Sequence, residues 1–166
     1  MACGDKHAAL VSFGLGKGKR TDMDVYLSIN CAWEISAVAQ ILGQQGHLVY
    51  VTSAQDWALS SLPVREHATT VMVMDLRSQP QCGLQAIRAM RTHHGFAPAV
   101  LALTRKDSSS RIEAIEAGAD CCLDDVQCHD SLCAVIHSLG RRAGLGIPPP
   151  LAGLTTIVKT TTTAPS

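Results

Sequence analysis

Thr69-Thr70-Val71-Met72-Val73-Met74 is almost continuously apolar and ends at Asp75. A run that is apolar at nearly every position, rather than at alternate ones, suits a central strand covered by helices on both faces. Polar, turn-forming residues follow from Ser78 to Gly83, and Leu84, Ile87 and Met90 then recur at helical spacing. The local order is therefore strand, acidic turn, helix.

The same alternation extends in both directions. Upstream, Val25-Tyr26-Leu27-Ser28-Ile29 is a short apolar run, and Ile35, Val38, Ile41 and Leu42 form a helical stripe until Gly43 and Gly46 interrupt it. His47-Leu48-Val49-Tyr50-Val51 reads as a second strand, with Ser53 capping a brief helix that carries Trp57, Ala58 and Leu59 before Pro63. Downstream, Pro98 to Leu103 is a fourth strand, Ile112 and Ile115 a fourth helix closed by Gly118, and Ala119 to Leu123 a fifth strand. Leu132, Cys133, Val135, Ile136 and Leu139 make a fifth helix, ending at Arg141 and Arg142, where a helix C-terminus favours basic residues. Five βα units in this order demand a parallel sheet with right-handed crossovers. Reactive groups then gather at the strand C-terminal ends, so the positions to inspect are Ile29, Asn30, Cys31, Asp75, Thr104 and the stretch from Cys122 to Asp125.

Residues 1–22 place Gly14, Gly16 and Gly18 among Lys17, Lys19 and Arg20 and read as a flexible arm. They fail as a phosphate loop, because Gly18-Lys19 is followed by Arg20. Residues 143–166, rich in Gly, Pro and Thr, read as linker and tail, with Leu154 to Val158 offering one edge strand. One domain over residues 23–142 is the expectation, and 46% apolar with 17% charged residues is enough to build its core. Fourteen basic residues balance fourteen acidic ones, so no overall field recruits nucleic acid or an anionic membrane to this chain alone. The apolar runs fall far short of the roughly 20 residues that cross a bilayer, and the first residues lack a signal-peptide pattern. Seven cysteines scattered through strands and helices suit reduced thiols, and the expected location is the cytoplasm.

Val71 to Asp75, Gly83-Leu84, Ile87, Met90-Arg91, the segment from Pro98 to Thr104, and Glu116-Ala117-Gly118-Ala119-Asp120 together resemble a response-regulator receiver domain over residues 23–142. The resemblance implies a flavodoxin-like, doubly wound α/β fold: a five-stranded parallel sheet of order 2-1-3-4-5 with helices on both faces. It makes Asp75 the candidate phospho-acceptor from a histidine kinase and Thr104 the hydroxyl that meets the phosphoryl group. Both residue types suit that chemistry, since a carboxylate is the nucleophile and a hydroxyl donates to a phosphoryl oxygen. No histidine stands at a strand end as a second catalytic group, so an enzyme is not expected.

Several positions depart from the family pattern. The acidic pair that would hold Mg²⁺ falls on Ile29 and Asn30, neither a carboxylate, so weak Mg²⁺ binding or none is expected. The lysine position is Asp125, within Leu123-Asp124-Asp125-Val126. A carboxylate about 4 Å from a phosphoryl charge costs on the order of 4 kcal/mol at an effective dielectric near 20. Asp124 and Asp125 as relocated metal ligands are the lesser reading, since Mg²⁺ demands near-octahedral geometry. The aromatic switch position holds the small Cys122. Arg77 reads as solvent-facing; the alternative is that it pairs with Asp75 and holds the domain in one state. Cys121, Cys122, Cys128, His129, Cys133 and His137 are dense but lack a standard zinc spacing, and packed thiols are the preferred reading. His93 and His94 read as surface residues, and Trp33 and Trp57 as core.

The functional expectation is an atypical receiver that signals through protein contacts without conventional phosphorylation. A protein partner, or a second copy, would use the face formed by the fourth helix, fifth strand and fifth helix. The alternative is a phospho-accepting receiver of a two-component system, served by a sensor kinase at Asp75. In that reading the chain is either a stand-alone receiver or the N-terminal part of a DNA-binding transcription regulator, since the residues after Arg142 are too few for a DNA-binding domain.

Overall fold

The computed structural model describes residues 9–10, 23–54, 69–124 and 128–144. Its strands are β1 (Ala9–Leu10), β2 (Met23–Ser28), β3 (Leu48–Val51), β4 (Thr69–Asp75), β5 (Ala99–Leu103) and β6 (Cys121–Leu123). Its helices are α1 (Ala32–Gln44), α2 (Pro80–His94), α3 (Ser108–Ala117) and α4 (His129–Gly144). The short helix expected around Trp57, the edge strand expected at Leu154 to Val158, and Asp125 lie outside the described residues. The fourth and fifth helices of the sequence reading are therefore α3 and α4.

The sheet order is β1-β3-β2-β4-β5-β6. From β3 to β6 all pairings are parallel, which is the expected order 2-1-3-4-5. The addition is β1, which pairs antiparallel with the outer edge of β3 through Ala9 opposite Val51 and Leu10 opposite Tyr50. The glycine-rich composition around it gave no sign of a strand.

Alternate residues of the central strands sort into two cores. Val71 and Val73 join Val25, Leu27, Leu101 and Leu103 against Val38, Ala39 and Leu42 of α1 and Leu132, Cys133, Ile136 and Leu139 of α4. Met72 and Met74 join Tyr26, Val100 and Ala102 against Leu84, Ala86, Ile87 and Met90 of α2 and Ala114 and Ala117 of α3. Burial on both faces is why β4 shows no polar alternation, each fully buried side chain contributing about 1.5–3 kcal/mol. Two side chains depart from expectation. On α3 the small Ala114 and Ala117 face the sheet and Ile112 is 57% exposed, because a helix can approach a sheet closely through alanines. Trp33 is 63% exposed and stands edge-on to His129 with ring centroids 4.9 Å apart, so it is not a core residue.

Helix ends follow local chemistry. Pro80 occupies the first turn of α2, where its missing N–H costs nothing. The Asp107 carboxylate accepts from the Ser110 N–H at 2.7 Å and caps α3. Gly118 closes α3 at φ +113°, in the left-handed region that favours glycine. A Cβ there would also sit 2.7 Å from Cγ of Arg91. That arginine donates to the carbonyls of Gly118 at 2.8 Å, Pro98 at 2.8 Å and Gly95 at 3.0 Å, and to Asp120 Oδ2 at 2.7 Å. Asp120 Oδ2 in turn accepts from the Val100 N–H at 2.6 Å. The network fastens the N-terminal ends of β5 and β6, at the opposite rim from Asp75. No helix among the described residues is long and apolar enough to cross a membrane.

His47, in the turn before β3, meets His137 of α4 with Nε2 atoms 2.7 Å apart. Burial, then the neighbouring His137, hold His47 down at about 4; burial and Arg141 lower His137 as well. An imidazole with a depressed folded value is neutral in the native state while its unfolded counterpart, near 6.5, takes up a proton first. Its contribution is complete above that unfolded value and declines as pH falls from there towards 4. Urea unfolding should therefore show a loss of about 1 kcal/mol between neutral and acidic pH, after allowance for solvent screening of a half-buried group. The loss should shrink in His137→Phe.

Candidate functional site

Three parallel strands deliver the site. Asp75 is the last residue of β4, and its Cα registers with Leu103 on β5; Thr104 is therefore one residue beyond that partner. On the other side Ser28 of β2 registers with Met74, which brings Ile29 and Asn30 alongside Asp75. Because β2, β4 and β5 pair in parallel, all these ends lie on one rim, as in a doubly wound sheet.

The side chain of Asp75 is only 3% exposed, so its charge must be met from within the protein. Arg77 meets it. Its Nε donates to Asp75 Oδ1 at 2.9 Å and its Nη2 to Oδ2 at 2.9 Å, a bidentate pairing of planar fork and carboxylate. The Arg77 backbone N–H adds a bond to Oδ1 at 3.0 Å, and the Asn30 N–H one to Oδ2 at 3.3 Å. The solvent-facing reading of Arg77 thus gives way to the pairing alternative. Burial pushes the Asp75 carboxyl up, but the hydrogen bonds and charge of Arg77 and the Asn30 N–H outweigh it and leave its pKa below the usual carboxylate value. The guanidinium is correspondingly raised by Asp75 and by Glu34.

Glu34, in the first turn of α1, was not singled out in the sequence. Its Oε2 accepts from Arg77 Nη2 at 2.7 Å and its Oε1 from Nη1 at 3.4 Å. Its spacing holds a faint signal, four residues beyond Asn30, but an acidic residue there is ordinarily read as complementing the helix dipole. The loop after β4 is held at two further points: Arg105 Nε donates to the Arg77 carbonyl at 2.9 Å, and Asn30 Nδ2 to Ser78 Oγ at 2.6 Å.

The other sequence candidates are placed as follows. Thr104 is fully buried just beyond β5, and its hydroxyl oxygen finds no partner among the described residues. Ile29 is buried in the core between β2 and α1. Cys121 and Cys122 pack on opposite faces of the sheet. Burial pushes the Cys122 and Cys133 thiols up to about 11, which leaves them protonated and poorly nucleophilic. Asp124 pairs with Arg111 of α3, so it is engaged elsewhere than at Asp75. No three His, Cys, Asp or Glu side chains among the described residues are grouped to hold a metal ion.

The described residues at this rim do not fit a divalent cation such as Mg²⁺, which requires several free oxygen ligands. The Ile29 side chain has none, and Asn30, whose Nδ2 donates to Ser78 Oγ, offers only a neutral amide oxygen in place of a carboxylate. Both Asp75 oxygens are bonded to a guanidinium that already supplies the counter-charge.

No protein-family model and no curated protein matches the sequence. Solved structures do. The chain superposes on NtrX from Brucella abortus, solved with ADP, at TM-score 0.61 and 19% identity over 74% of its length. It spans only 27% of that protein. The receiver domain of the Francisella response regulator 1452 gives TM-score 0.59 at 16% identity, with 72% of this chain covering 97% of that one. A response regulator from Thermotoga maritima gives TM-score 0.57 at 20% identity, covering 73% of this chain and 98% of the other. At such identities the likeness is one of fold: this chain has the receiver-domain architecture.

The Asp75–Arg77 pair is asymmetric in exposure, 3% against 30%. Removing Arg77 strands a charge that water cannot reach, whereas removing Asp75 leaves a cation that water can. Arg77→Ala should therefore cost about 2 kcal/mol in urea unfolding at neutral pH, below the 3–5 kcal/mol of a fully buried pair. Asp75→Ala should cost less. Because the folded value of Asp75 lies below its unfolded 3.8, this stabilisation is complete above 3.8 and vanishes as pH falls through the folded value. The difference between Arg77→Ala and the wild type should close at that acid end.

Proposed function

We propose that this receiver-fold domain works in signal transduction through protein contacts, with Asp75 held closed rather than serving as a routine phosphoryl acceptor. The observation that carries this reading is the Arg77 fork across both oxygens of Asp75. A carboxylate attacks phosphorus through a free oxygen lone pair, and here the lone pairs are engaged and the basicity of the carboxylate is lowered. Loss of the acidic positions at Ile29 and Asn30 adds to the effect, since phosphoryl transfer depends on cations to neutralise the incoming charge. The contact surface we assign is the face of α3, β6 and α4, on which Ile112 stands 57% exposed. The partner is a protein or a second copy of this chain, with no role for a membrane or nucleic acid, no catalytic activity of its own, and a cytoplasmic setting.

One observation favours the alternative of a phospho-accepting receiver served by a sensor kinase. The buried Thr104 hydroxyl has no partner among the described residues, and as a hydroxyl it could donate to a phosphoryl oxygen. The two readings separate under acetyl phosphate or beryllofluoride titration with Mg²⁺, followed by NMR. The closed reading expects no saturable shift around Asp75 and Thr104. A saturable response that disappears in Asp75→Ala would establish the acceptor instead.

A further inference from the structure

Asp75 and Arg77 are two residues apart on one loop, yet the guanidinium is not held by that loop alone. Four hydrogen bonds leave it, two to Asp75 and two to Glu34. Nη2 is shared, donating to Asp75 Oδ2 at 2.9 Å and to Glu34 Oε2 at 2.7 Å, so the planar group cannot turn off one carboxylate without loosening the other. The Glu34 side chain is 13% exposed, less than the 30% of Arg77, so the anchor is the better shielded end. An arginine side chain freed from such a fork regains substantial rotamer entropy. Without Glu34 only the Asp75 fork opposes that gain, and the guanidinium, 30% exposed, has water within reach.

We propose that Glu34 is the positioning residue that keeps the Arg77 guanidinium across Asp75, so that α1 decides whether the acceptor carboxylate is closed. The inference rests on the reading of Asp75 as a closed acceptor and assigns its control to a second element. Glu34 belongs to a helix anchored in the core by Val38, Ala39 and Leu42, and its neighbour Trp33 lies against His129 of α4. A displacement of the first turn of α1 is thereby transmitted to Arg77 through one charged contact. Among the described residues, the groups hydrogen-bonded to Asp75 are Arg77 from its own loop and the Asn30 N–H from the loop after β2. Glu34 stands behind the guanidinium, Arg105 is tied to the Arg77 carbonyl, and Asp124 is paired with Arg111.

The full chain, its Glu34→Ala variant and its Glu34→Gln variant are compared by carbon-detected NMR titration of the Asp75 carboxyl and by the hydrogen exchange of Arg77 Nε–H. Glu34 as a positioning residue and Glu34 as a mere negative charge predict opposite signs. If it positions Arg77, its loss lets the guanidinium leave, the Asp75 midpoint rises by about one pH unit and the Nε–H exchanges faster. Glu34→Gln, which keeps one acceptor, falls between. A midpoint that drops in Glu34→Ala, as removal of a nearby negative charge alone would cause, overturns the proposal. So does an Arg77 Nε–H as protected as in the wild type, and circular dichroism confirms that each variant is folded. The titration reads the placement of Arg77, whereas labelling by acetyl phosphate reads access to Asp75, so failure of one reading is told apart from failure of the other.

Discussion

A carboxylate that is 3% exposed cannot keep its charge without a cation or several N–H groups set against it. Asp75 has both, and the rim of the sheet is arranged around that need. The Arg77 backbone turns so that its own N–H and its side chain reach the same oxygen, Arg105 holds the Arg77 carbonyl in that turn, and Asn30 contributes its N–H from the neighbouring strand end. Three loops are thus drawn together by one buried charge. The receiver pattern gathers positive charge from a metal ion and a lysine; here the Arg77 guanidinium lies across the carboxylate itself.

The scaffold was legible because it is written in periodicity. Val71 to Met74 lacks alternation since both faces of β4 are covered, and the stripes at Leu84, Ile87 and Met90 and at Leu132, Ile136 and Leu139 are buried as their spacing implies. Asp75, Thr104, Ile29 and Asn30 fell at strand ends for the same reason, since in a parallel sheet position along the chain fixes position along the rim. The stripe through Ile112 failed because it was chosen by size, whereas α3 approaches the sheet through Ala114 and Ala117. Trp33 failed likewise: a large aromatic is commonly buried, but the first turn of α1 carries it past the edge of the core.

What escaped the sequence were directions rather than positions. Whether Arg77 turns inward depends on the backbone of a short loop, which no spacing encodes, and so solvation looked the safer reading. Glu34 was missed for a related reason. Its proximity to Arg77 is tertiary, spanning 43 positions of the chain, and a first-turn glutamate already has a local explanation in the helix dipole. Between them these two residues change the character of the site from one that lacks positive charge to one that contains its own. The carboxylate arrangement was anticipated in part, and its neutralisation only as the less favoured of two readings.

The two borders of the sheet are unlike its middle. On one side the outer edge of β3 is partly covered by the two residues of β1, and on the other β6 offers only three. Long, flat borders invite other chains to add strands through unpaired peptide groups, and abbreviated ones give such an intruder little to zip onto. Growth of this sheet by lateral strand exchange between copies is therefore poorly supported by its backbone.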